Sequence, residues 1–177
     1  MYKIIIIAFL SALFVQSEST ISWKYGYRIN WDDFKAKPQT RTDVIAVTAS
    51  GLSFQYSTKR YSTGRLDYDF EVLAHFYPDK SWYIKDHVTE VTLAHERLHF
   101  DITELHARKF RERVKSTKFT SNIDNEMEAI HNSINDQLSK MQRLYDKETD
   151  HSRDVIKQMA WQKYIEEALV ALDYYEE

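Results

Sequence analysis

The feature that most constrains this chain is a change of hydrophobic period near residue 86. Ahead of it, from Ile21 to about Trp82, the apolar residues are mostly β-branched or aromatic and often alternate with polar ones, as in Val44-Ile45-Ala46-Val47-Thr48 and Tyr68-Asp69-Phe70-Glu71-Val72-Leu73-Ala74-His75-Phe76. A two-residue period belongs to strands with one buried face. Turns are expected at Lys37-Pro38, Ser62-Thr63-Gly64 and Tyr77-Pro78-Asp79. Beyond Asp86 the period becomes helical, and neither glycine nor proline interrupts it.

Three helices are predicted there. The first runs from about His87 to Ser116, with Val88, Val91, Leu98, Ile102 and Leu105 on one face. The second follows a cap at Ser121 or Asn122 and carries Ile123, Met127, Ile130, Ile134, Leu138 and Met141. The third spans roughly Ser152 to Tyr174, with Val155, Met159, Ile165, Leu169 and Leu172 as its apolar face. Strands followed by helices imply an α+β fold, a twisted N-terminal sheet and then three packed helices, in one domain over residues 18–177. With a formal net charge of −3, electrostatics points to no nucleic-acid partner.

The N-terminus has a different character. Lys3 precedes an apolar run from Ile4 to Val15 in which only Ser11 is polar, and Val15 and Ser17 provide compact residues for cleavage. That pattern predicts a signal peptide over residues 1–17. The run is shorter than the roughly 18 to 20 residues of a permanent span, so a secreted or periplasmic product with no lasting membrane span is expected. The chain has no cysteine, which excludes disulfides and thiolate metal sites. An exported domain of this kind relies on its core, with or without a metal.

Chemistry concentrates in Ala94-His95-Glu96-Arg97-Leu98-His99, an HExxH pattern inside the first predicted helix. Two imidazoles four residues apart project from one face about a turn apart, close enough to share one ion, and Glu96 stands beside them. Such a pair suits one Zn2+, which lowers the pKa of water toward ~7, with a carboxylate at hand to take the proton. By chance the triplet arises in roughly 2% of shuffled chains of this composition.

A further ligand is required. Glu104 lies about 180° round the helix from His95, and His106 sits about 10 Å along the axis from His99, so neither can share the ion. Ile102 and Leu105 stand where the longer metzincin motif has glycine and histidine, which excludes that subclass. Glu126, Glu128 and His151 remain as candidates, and periodicity does not choose among them.

Four stretches resemble a known family: Ile29-Asn30-Trp31-Asp32-Asp33-Phe34, Lys80-Ser81-Trp82, His95 to Glu104 with Ala107-Arg108, and Tyr145-Asp146-Lys147-Glu148-Thr149-Asp150-His151, with Gln158 and Trp161 further on. The chain is similar to predicted secreted zinc-dependent proteases of bacteria, a domain of unknown function grouped with the zincin metallopeptidases. The resemblance implies a zincin-like fold, one zinc ion, a peptide or protein substrate, and His151 as third ligand beside His95 and His99, because the signature Tyr-Asp-x-x-Thr-x-His ends there. It also implies that Asp101 and Glu104 matter; physically they read as partners of the ligand imidazoles or braces of the helix, with surface salt bridges to Arg97 or Arg108 as the alternative. One departure is Ser152, where the family commonly has glycine.

On this reading Glu96 is the general base, and Tyr145 is a candidate to donate a hydrogen bond to an oxyanion, with a buried packing role as the alternative. The strand Tyr68 to Phe76 corresponds to the edge strand that holds an extended peptide in zincin folds. Trp31, Phe34, Trp82 and Trp161 read as packing aromatics. Arg108, Lys109, Arg111, Arg113 and Lys115 read as a solvated helix end. The competing expectation for the whole chain is a non-catalytic zinc-binding or interaction module of the cell envelope.

Overall fold

The computed structural model describes residues 19–39 and 43–177; the expected signal peptide lies outside them. Among the described residues five strands come first: β1 (Ile21–Ser22), β2 (Ala46–Val47), β3 (Ser50–Arg60), β4 (Leu66–Phe76) and β5 (Trp82–Tyr83). β3 and β4 form a long antiparallel hairpin in register from Ser50↔Phe76 to Arg60↔Leu66, and β1 adds to β4 at Phe76 and His75. β2 and β5 make a separate two-stranded ladder. The hairpin closes through Gly64, whose N–H donates to Tyr61 O at 3.0 Å and whose φ of +85° is one that a Cβ disfavours.

Alternation along the hairpin gives the sheet one wet and one dry face. Phe54, Val72, Ala74 and Phe76 meet Phe100, Ala107, Phe110 and Val114 of the first long helix, α1 (Glu90–Ser116), whereas Gln55, Asp69 and Glu71 face solvent. Thr89 caps α1: its hydroxyl accepts from Thr92 N–H at 3.3 Å while the Thr92 hydroxyl accepts from Thr89 N–H at 3.2 Å. The opposite side of α1, with Leu98, Ile102 and Leu105, packs against Leu138 and Tyr145 of α2 (Ile123–Glu148) and Trp161 and Ile165 of α3 (Val155–Ala171). The fold is thus α+β, a sheet followed by three helices with α1 sandwiched between the layers. Among the described residues no helix is long and apolar enough to cross a membrane.

Three expectations are corrected. β4 is the central strand of its sheet, not an edge. Part of its far side is closed by Trp23 N–H, which donates to Ala74 O at 3.0 Å, and by Arg111, which donates to Val72 O at 2.6 and 3.0 Å. Arg108 and Arg111 are buried, 2% and 5% exposed, around the carboxylate of Glu104 and the chain's last residues. On α3 the buried residues are Gln158, Trp161 and Ile165, while Met159 is 64% exposed. Apolar residues lie all round α3, so spacing alone did not single out its packed face.

Candidate metal centre

α1 presents His95 and His99 one turn apart, and α2 brings the rest. Tertiary contacts pair Arg113 with Ser133 at one end and His95 with Tyr145 and Asp146 at the other, so α2 runs antiparallel to α1 after a short connection. Asp146 Oδ1 lies 3.1 Å from His95 Nε2 and 2.9 Å from His99 Nε2, and the two Nε2 atoms are 3.1 Å apart. Among the described residues these three side chains form a group with metal-ligand spacing.

That arrangement fits a cation. Two imidazole lone pairs and a carboxylate oxygen repel one another at such distances unless a proton or a cation stands among them. Four tetrahedral ligands at the ~2.0–2.1 Å typical of zinc are about 3.3 Å apart, close to the separations found. Burial would lower the pKa of His99, but its hydrogen bond to Asp146 and the charges of Glu96 and Asp146 outweigh it and raise the imidazole. Burial likewise favours a neutral Asp146, and the hydrogen bonds and charges of His95 and His99 overcome it, holding the carboxyl well below its usual range.

The surroundings fix His99 in a useful tautomer. Gln142 Nε2 donates to His99 O at 2.9 Å and lies 3.3 Å from Thr103 Oγ1, which turns the amide oxygen toward His99 Nδ1. Nδ1–H therefore donates to Gln142, leaving Nε2 to face Asp146. Tyr145 packs behind both rings, stacked on His95 at 4.4 Å between centroids and edge-on to His99 at 5.0 Å. Its phenol is fully buried and donates to His95 O at 3.4 Å, and burial with the nearby carboxylates of Glu96, Asp146 and Asp101 raises its pKa, so it stays neutral. In this position Tyr145 supports the imidazoles and is not presented to a substrate carbonyl. Glu96 is 5% exposed, and its Oε2 is buried with no hydrogen-bond partner. Thr48, in the bend between β2 and β3, donates to Glu96 O at 3.2 Å and ties the sheet to the centre.

Residues 27–152 match a family model described as bacterial protein of unknown function (DUF922). The chain belongs to that family. No curated protein and no solved structure matches it. The span matched to DUF922 contains both halves of the cluster, the HExxH helix and Asp146, and ends at the residue after His151.

His151 stands at the rim. Its Nδ1 is 3.8 Å from Asp146 Oδ1, its side chain is 65% exposed, and it does not join the group of three. Glu126 and Glu128 sit near the other end of α2, about 27–30 Å from Asp146 along the axis, and Glu126 is bonded to Thr120. Asp101 accepts from Trp23 Nε1 at 2.8 Å and from Arg28 at 2.6 Å, and Glu104 pairs with Arg108 and Arg111. Both carboxylates brace α1, and the imidazole partner is Gln142. Sequence reasoning missed Asp146 and Gln142 although a signal was present: the two polar residues are four apart, the spacing of His95 and His99. A cavity of about 560 Å³ opens on another flank of α1, between Arg97, Leu98 and Asp101 and the α3 residues Ile165 and Leu169; the cluster does not line it.

Proposed function

We propose that this DUF922 member is an exported zinc-dependent peptidase of zincin type, in which His95, His99 and Asp146 hold one zinc ion and Glu96 is the general base. The observation that supports this reading is the convergence of two Nε2 atoms and one carboxylate oxygen within 3.1 Å of each other, beside a buried Glu96 whose Oε2 has no partner. Two imidazoles and one carboxylate are a donor set of catalytic zinc sites, which keep a position open to solvent. Zinc, when bound, polarises a carbonyl and makes water acidic enough to react near neutral pH.

Within that frame Glu96 takes a proton from the attacking water, whose oxygen bonds to the amide carbon. The proton then passes to the amine nitrogen as the C–N bond breaks, and the oxygen and the second proton remain with the new carboxyl group. Gln142 and Tyr145 keep the imidazoles in place. Export rests on the apolar run Ile4 to Val15, and the peptide substrate on the family resemblance. A non-catalytic metal module would fill four ligand positions and have no use for an unpartnered buried carboxylate beside them.

The test is metal analysis of the purified protein together with cleavage of a peptide library. One zinc per chain, cleavage by the wild type, and a loss of about 100-fold or more in Glu96→Gln with zinc retained are expected. Zinc binding without any cleavage, or an unchanged rate in Glu96→Gln, would refute the peptidase reading.

A further inference from the structure

We propose that His151 is a catalytic residue of this centre, and not a metal ligand: its exposed imidazole donates an N–H to the carbonyl oxygen of the amide under attack. The proposal rests on the peptidase reading and deepens it. Exposure of the side chains rises steadily from the interior outward, from 4% for His95 to 13% for His99, 32% for Asp146 and 65% for His151. A substrate arriving from solvent therefore approaches over Asp146, and that is where His151 stands, with Nδ1 3.8 Å from the oxygen on which both buried imidazoles converge.

The backbone holds it there. Asp150, His151 and Ser152 have φ of +49°, +52° and +74°, three successive left-handed residues without a glycine among them. A Cβ disfavours each of these conformations, so the turn persists because its neighbours over-determine it. His151 N–H donates to Asp146 O at 2.9 Å, the Thr149 hydroxyl donates to Tyr145 O at 2.7 Å, and Asp154 N–H donates to Thr149 O at 2.8 Å. The residue carrying Asp146 and the residue carrying the exposed imidazole are thus linked through one main-chain bond. The other candidate donor is excluded by position, because the Tyr145 hydroxyl is buried and bonded to His95 O.

The chemistry required is that of a hydrogen-bond donor aimed at the oxygen where negative charge develops, a contribution of about 100- to 1000-fold in rate. No bond to His151 forms or breaks. The carbonyl oxygen gains charge as water adds to the carbon, and loses it again when the amine departs.

The experiment uses the full chain, stripped of metal and titrated with Zn2+ and with Co2+, whose visible spectrum reports the ligand set. His151→Ala and His151→Gln are expected to bind both ions within about threefold of wild type with an unaltered Co2+ spectrum, whereas Asp146→Ala weakens binding by 100-fold or more. On a peptide that the wild type cleaves, His151→Ala is expected to lower kcat about 100-fold with KM nearly unchanged, and His151→Gln, which retains an N–H donor, to recover part of the loss. A Co2+ spectrum or zinc affinity that collapses in His151→Ala makes the residue a ligand and overturns the proposal. An unchanged kcat overturns it as well. If the wild type binds metal and cleaves nothing, the peptidase reading fails and the role of His151 falls with it, an outcome distinct from one in which wild type and His151→Ala cleave equally.

Discussion

His106 permits a quantitative test of how the core of α1 is built. The residue is 1% exposed, its Nδ1 contacts Ile102 O at 2.8 Å, and burial, reinforced by the charge of Lys109, pushes its pKa from 6.5 down to about 4 despite that hydrogen bond. A histidine with a folded pKa below its unfolded value binds fewer protons in the native state. Its effect is therefore nil above about pH 6.5, and stability is lost as pH falls from there toward 4. Taking 6.5 and 4 as the two values, the loss between pH 8 and pH 4.5 is roughly 2–3 kcal/mol. His99 acts in the opposite sense, since its raised pKa adds stability below pH 6.5, so the wild-type profile alone mixes the two. The difference between wild type and His106→Gln separates them. Urea unfolding of metal-free protein at pH 8 and pH 4.5 is expected to show wild type losing roughly 2–3 kcal/mol more than the variant over that interval. A difference under about 0.5 kcal/mol would mean that His106 is solvated or charged in the folded protein, and the account of α1 as a helix buried on several sides would be wrong.

Three other outcomes follow from named contacts. Gln142→Leu removes the acceptor that orients His99 and is expected to weaken zinc binding by about 10- to 100-fold, read by chelator competition, with little change in melting temperature. Arg111→Leu leaves Val72 O and Tyr175 O without their donors and Glu104 with one cation fewer; a loss of about 3–5 kcal/mol in the urea midpoint analysis is expected, and a loss below 1 kcal/mol would contradict a buried ion cluster. Ser152→Gly relieves a left-handed φ of +74° and is expected to raise stability by about 1 kcal/mol, with a lower melting temperature counting against the turn as described.

The outline of the fold was legible because it depends on local periods. Alternation from Tyr68 to Phe76 became β4 with Val72, Ala74 and Phe76 buried, and the uninterrupted helical period became α1 to α3, their boundaries a few residues inside the expected ones where Thr89 and Asp154 cap. What a period does not report is the partner. Arg108 and Arg111 look solvated beside Lys109 and Arg113, yet Leu169, Tyr175, Glu176 and Glu177, some sixty residues away, return to cover them. A sandwiched helix also carries polar residues on every side, so the rule that polar faces are wet fails for α1, where Asp101, Thr103, Glu104, His106, Arg108 and Arg111 are all buried.

The candidate site divides in the same way. His95, Glu96 and His99 are local, and spacing alone brings them to one place. Asp146 is not local, but it was within reach of one further step. Two helices joined by a short connection lie antiparallel, and residues equally distant from the connection face each other. With the connection centred near residue 120, His99 and His95 fall opposite about residues 141 and 145, and the contacts found are His99 with Gln142 and His95 with Tyr145 and Asp146. Glu126 and Glu128 fall opposite about residues 112 to 114 by the same count, too far down α1 to share an ion with the pair. The carboxylate was therefore selected by the topology of a helical hairpin. His151, beyond the end of α2, escapes that rule: its position depends on three left-handed residues that no hydrophobic period encodes, which is why titrating metal into its variants separates a ligand from a group that touches the substrate.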